Sequence, residues 1–185
     1  MQEFAVNNKN PIAMINILIA SDHQSSRKTL TDLLSAQPAF RIIAICADTH
    51  AAICIAAREQ PDIVFIDGSS DPLAAIEATK KITNCSTAGV IALSGGIDAD
   101  FAQHMIAAGA LGYVTHRSST AEIISAVIEV AKDNLFNCYG GAEFTLPTPE
   151  RASFKQSLTS LGRDYRKKIT DTVHSHWHGI LNFTN

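Results

Sequence analysis

Along residues 15–134, short aliphatic runs alternate with longer stretches in which apolar residues return every three or four positions. Five runs have strand length: INILIA (15–20), RIIAICA (41–47), DIVFI (62–66), GVIALS (89–94) and LGYV (111–114). The stretches between them have helical spacing. The first carries Leu30, Leu33 and Leu34 on one face, with Ser25 or Ser26 as its expected N-cap. Ala51–Arg58 is closed by Pro61, Ala74–Ile82 follows Pro72, and Ala99–Ala108 is stopped by Gly109. Thr120–Lys132 completes the set, with Ile123, Ile124, Val127, Ile128 and Ala131. Five strand–helix units in series predict an α/β domain, a doubly wound parallel sheet with helices on both faces, because each parallel strand needs a crossover that is usually helical.

The pattern also sets the boundaries. Residues 1–13 read as a disordered tail and residues 14–138 as the domain. Proline and glycine thicken in 139–150, which reads as a linker. Beyond it Phe154, Leu158, Leu161, Tyr165, Ile169, Val173 and Trp177 fall at helical spacing, so 151–185 is expected to be a helical appendage.

Composition adds limits. Of 185 residues, 46% are hydrophobic and 18% charged, enough apolar material for a core and too little charge for a disordered chain; at 6% aromatic, that core should be aliphatic. Residues 1–149 hold 9 Lys+Arg against 15 Asp+Glu and residues 150–185 hold 6 against 3, so the net charge of −3 divides into −6 and +3. Cys46, Cys54, Cys85 and Cys138 show no Cys-x-x-Cys spacing and read as reduced thiols of a cytoplasmic protein. No run approaches the roughly 20 apolar residues of a membrane span, and the N-terminus lacks the basic-then-apolar order of a signal peptide.

Candidate chemistry lies where the strands end, since ligands of open doubly wound sheets gather outside the strands' carboxyl ends. Ser21 and Asp22 follow the first strand, Asp67 the third, Ser94 the fourth, and Thr115 and His116 the fifth; the second, an edge strand, offers only Asp48. Two carboxylates on adjacent strands repel unless a cation lies between them. Such hard oxygens, with the backbone carbonyl of Ser69, suit Mg²⁺, beside which a carboxylate can attack a phosphoryl group. Ser94 offers that group a hydrogen bond, and His116 a second donor.

The stretches LIASDH, PDIVFIDG, VIALS and GALGYV, in this order and spacing, resemble the receiver domain of two-component response regulators, in the subfamily usually carrying a C-terminal helix-turn-helix. The resemblance spans residues 15–140. It implies a flavodoxin-like (βα)5 fold with strand order 2-1-3-4-5, and Mg²⁺ as cofactor. By position it makes Asp67 the phosphoacceptor, Asp22 the second acid of the metal pair, Ser94 the switch hydroxyl and Tyr113 the switch aromatic. It implies a signalling, non-enzymatic role with a histidine kinase or phosphotransfer protein as partner, and leaves a homodimer open. Two positions depart from the pattern: Ser21 stands where the family has the first acid, and His116 where it has a lysine. The loop after Asp67 reads Ser69-Ser70-Asp71-Pro72 in place of a hydrophobic-proline pair. The appendage is too short for a complete helix-turn-helix domain.

Other readings stand beside this one. Those substitutions fit a phosphorylation-independent pseudo-receiver, an interaction or dimerisation module. A flavodoxin-type small-molecule binder ranks last, because SDHQSS after the first strand has no glycine to cradle a phosphate. Asp67-Gly68 alone is a common turn pair. His174 and His178 read as surface histidines, and Arg163, Arg166, Lys167 and Lys168 as a solvated helix face ahead of a DNA contact.

Overall fold

The structure, a computed structural model, describes residues 14–137. Six parallel strands form one sheet in the order β2-β1-β3-β4-β5-β6. These are β1 (Ile15–Ala20), β2 (Phe40–Cys46), β3 (Ile63–Asp67), β4 (Gly89–Ser94), β5 (Gly112–Thr115) and β6 (Phe136–Asn137). The helices between them are α1 (Gln24–Ser35), α2 (Thr49–Glu59), α3 (Pro72–Cys85), α4 (Ala99–Ala108) and α5 (Thr120–Ala131). The first five strands follow the expected order 2-1-3-4-5. The two-residue β6, which the pattern does not predict, pairs with Gly112 and Tyr113 of β5.

Side-chain alternation along the strands builds two core layers, one on each face of the sheet. Ile17, Ile19, Phe65, Ile91 and Val114 meet Leu30 and Leu34 of α1 and Ile123, Val127 and Val130 of α5. Leu18, Val64, Ile66, Val90 and Ala92 face Ala52 and Ala56 of α2, Ile82 of α3 and Met105 of α4. Every residue of β3 and β4 is buried, as central strands covered on both faces must be, whereas β2 at the edge is only part-buried.

Capping side chains fix where the helices start. Asp48, Asp71 and Asp98 accept hydrogen bonds from the N–H groups of Ala51, Ala74 and Phe101 at 2.7, 2.9 and 2.9 Å. Ser119 and Glu122 form a reciprocal capping box on α5. The expected cap of α1 needs correcting. Its N-cap is His23, which makes no side-chain cap bond, and Ser26 lies inside the helix, buried, with Oγ 3.4 Å from His116 Nε2. The linker and the helical appendage expected over 139–185 lie outside the described residues, as does the N-terminal tail.

Candidate functional site

Four βα junctions converge at the carboxyl end of the sheet. β3 carries Asp67 to its last position, where the side chain is 0% exposed. A carboxylate removed from water needs donors, and Asp67 has them on both oxygens. Oδ2 accepts from Ser21 Oγ at 2.7 Å and lies 3.2 Å from His116 Nε2. Oδ1 accepts from the N–H of Ser69 at 3.0 Å and from its hydroxyl at 2.6 Å. Ser21 sits on the loop after β1, tied down by Arg27 of α1, whose Nη1 donates to the Ser21 carbonyl at 2.6 Å. The N–H of His116 donates to the Ser94 carbonyl at 2.9 Å, hanging the β5–α5 loop on the end of β4.

Asp22, half exposed, lies beside His23, whose Nδ1 is 2.8 Å from Asp22 Oδ1 and 4.0 Å from Asp67 Oδ2. The hydroxyl of Ser70, together with the neighbouring His23, holds the Asp22 carboxyl below its ordinary value. Asp22, His23 and Asp67 thus bring three ligand atoms within 4.8 Å of one another. A cleft of about 190 Å³ opens here, lined by Ser21, Asp22, Asp48, Thr49, Asp67 and Asp71 among others. Asp48 and Asp71 are occupied as helix caps, which leaves Asp22 and Asp67 as the carboxylates in the cleft that are not spent on helix starts.

At the end of β4, Ser94 Oγ is 2.8 Å from the hydroxyl of Tyr113 on β5, and both lie against the Gly96 carbonyl. Tyr113 is fully buried, and its hydroxyl also accepts from the N–H of Asp98 at 3.3 Å. Its ring meets Phe101 of α4 edge-on, with centroids 6.3 Å apart.

Comparison with known proteins decides the family. Residues 17–128 match the family model for the response regulator receiver domain. This chain belongs to that family. The receiver is 34% identical over 120 residues to the transcriptional regulatory protein LiaR of Bacillus subtilis, covering 64% of this chain and 57% of that one. It is 28% identical over 123 residues to DegU of Brevibacillus brevis, covering 66% and 52%. The chain therefore spans a little over half the length of these curated relatives. Among solved structures, a LuxR-family two-component response regulator from Aurantimonas sp. SI85-9A1 superposes with a TM-score of 0.62 at 27% identity, over 66% of this chain and 89% of that one. The receiver domain of the putative regulator NarL from Mycobacterium tuberculosis shares the fold, with a TM-score of 0.60 at 19% identity, over 64% and 97%.

Sequence reasoning selected Asp22, Asp67, Ser69, Ser94, Tyr113 and His116, and the receiver's fold places all six at this end of the sheet. Ser69 touches Asp67 through its N–H and its hydroxyl. Ser94 faces Tyr113, and His116 reaches Asp67. Missed were His23, Ser70, Ser26 and Arg27. The first sits next to Asp22 in LIASDH and was readable as a ligand type; Ser70 meets the site from the loop after β3, and Ser26 and Arg27 reach it from the first turn of α1, which begins earlier than the sequence suggests.

Proposed function

We propose that this receiver accepts a phosphoryl group on Asp67 from the phosphohistidine of a kinase or phosphotransfer protein and relays the change through Ser94 and Tyr113, in the cytoplasm and without catalytic output of its own. The observation that carries the reading is the Asp67 carboxylate: buried, at the end of a central strand, beside a cleft and a second carboxylate. Ser21, Ser69 and His116 hold the carboxylate in one orientation and so aim an oxygen. After transfer the same hydroxyls and the imidazole can donate to the phosphoryl oxygens. Ser94 is one strand away; in turning its hydroxyl toward a phosphoryl oxygen it gives up its contact with Tyr113.

The donor set fits Mg²⁺, which binds through one or two carboxylates and a phosphate while keeping several waters. Asp22, Asp67 and the Ser69 carbonyl would hold it. Bound there, the ion neutralises negative charge on the phosphoryl oxygens. With Ser21 in place of a third acid and His116 in place of a permanent cation, transfer is expected to be slower than at a complete site.

Acetyl phosphate with Mg²⁺ is expected to add the mass of one phosphoryl group to the intact protein, and Asp67→Asn to abolish the gain. Beryllofluoride with Mg²⁺ is expected to shift the amide resonances of Ser94 and Tyr113. A wild-type protein that takes neither reagent overturns the proposal.

A further inference from the structure

Gly68, the residue after Asp67, is buried, and its backbone lacks the positive φ that would by itself call for glycine. What keeps a side chain off this position is Phe101 of α4. A Cβ on Gly68 would lie 3.0 Å from Cε1 of that ring, 2.7 Å from Cε2 and closer still to Cζ. The ring tip therefore rests on the backbone of the loop that follows Asp67. Gly68 is pinned where it stands, because its N–H donates to the Leu93 carbonyl on β4 at 2.9 Å. The same ring meets Tyr113 edge-on, and both side chains are buried in the core layer that also holds Ala102 and Met105 of α4. The start of α4 is fastened to that tyrosine a second time. Asp98, the N-cap, donates its N–H to the Tyr113 hydroxyl at 3.3 Å and accepts from the Phe101 N–H at 2.9 Å.

We propose, resting on the reading of Asp67 as phosphoacceptor, that Phe101 is a positioning residue of the switch, whose ring carries a change at Asp67 and Tyr113 into α4. When Ser94 turns to a phosphoryl oxygen it gives up Tyr113, whose hydroxyl keeps its contacts with Gly96 and Asp98 on the β4–α4 loop. Protein interiors are packed too densely to absorb the movement of an aromatic side chain in voids, so the neighbours of Tyr113 must follow it. Phe101 has no room to yield toward Gly68, where not even a methyl group fits. The displacement therefore passes along the ring to the first turn of α4. Packed elements move between discrete arrangements rather than deform smoothly, so a small shift at the ring becomes a shift of the helix. Glycine at position 68 is what allows the contact: a larger residue there would push the ring off the loop and leave α4 tied to the switch by Asp98 alone.

The test uses the full chain and nuclear magnetic resonance. In wild type, beryllofluoride with Mg²⁺ is expected to shift the Phe101 ring resonances and the amides of Met105 and Ala108 in α4 together with the amide of Ser94. Phe101→Leu keeps an apolar side chain and loses the ring tip. It should still take one phosphoryl mass from acetyl phosphate and still shift Ser94, while the α4 shifts fall to about half or less of their wild-type size. Gly68→Ala, which pushes the ring aside, should lower the ratio of α4 shift to Ser94 shift in the same way. Combining Gly68→Ala with Phe101→Leu puts a methyl group where the ring tip was and should raise that ratio above either single variant. A ring that merely fills the core would lower the urea midpoint of both single variants and leave the ratio at its wild-type value. That result overturns the proposal, as does a wild-type Phe101 ring unmoved by beryllofluoride, a measurement that needs no variant to fold. A wild type that takes neither reagent overturns the phosphoryl reading and this proposal with it, whereas a normal mass gain with an unchanged ratio in the variants overturns this proposal alone.

Discussion

Both oxygens of Asp67 carry hydrogen bonds from the chain itself, and this divides the work among its neighbours. Ser69, on the same loop, fixes the carboxylate plane; Ser21 and His116, from other junctions, fix where that plane points. Asp67, Asp22 and Ser94 were legible in the sequence because each ends or follows an aliphatic run, and strand ends meet in this fold. The contacts of Ser21 and Ser70 were not, since a serine in a loop has no periodic signature and its partner lies 46 or 47 residues away. A second residue-scale consequence concerns thiols. Burial, with the nearby Asp48 carboxylate, pushes the Cys46 thiol up to about 11, while Cys54 and Cys85 are exposed. Only the thiolate is nucleophilic. Iodoacetamide at pH 8 is therefore expected to label Cys54 and Cys85 well before Cys46, as read by peptide mass mapping; equal labelling would contradict the described burial.

At the scale of elements, α5 reaches the sheet because two neighbouring strands give it space. A Cβ on Gly89 at the start of β4 would meet Val130 Cγ1 at 2.4 Å, and one on Gly112 at the start of β5 would lie 3.0 Å from Val130 Cγ2. The valine fills a hollow made by both glycines. Gly89→Ala is expected to cost about 1–3 kcal/mol through overpacking, seen as a lower urea midpoint with an unchanged slope. Gly96→Ala, whose Cβ meets nothing within 4 Å, serves as the control. Elements of this kind were well legible: β1 and β4 begin and end where their aliphatic runs do, and α4 ends at Gly109, whose φ of 121° suits glycine. The start of α1 was not. Ser25 and Ser26 have cap-forming side chains, but the helix begins earlier, with the His23 carbonyl accepting from the Arg27 N–H at 3.1 Å, and Ser26 turns inward to His116. The strand β6 escaped because two residues show no period.

Taken as one molecule, the described domain should lose stability on acidification. Ser70 and His23 hold the Asp22 carboxyl low, and the Ser119 N–H with its hydroxyl does the same for Glu122. A carboxylate with a lowered folded pKa stabilises the fold above its unfolded value, near 4, and that contribution disappears as pH falls through the folded value. Urea midpoints are expected to fall between pH 6 and pH 3, and to fall less in Ser70→Ala; a midpoint that rises over this interval contradicts the assignment. The sheet's outer border has a different kind of consequence. β2 is an edge strand, and its pairing with β1 shifts register between Ile17 and Leu18, where Ile42 pairs with Ile17 and Ala44 with Leu18, leaving Ile43 as an extra residue. A bulge breaks the even ladder of N–H and C=O groups that an incoming strand from another chain would need, and exposed Arg41 adds charge on the same border. The edge that holds the first strand of the signalling site in place is thereby also blunted against fibril-like stacking of one copy on another along this border.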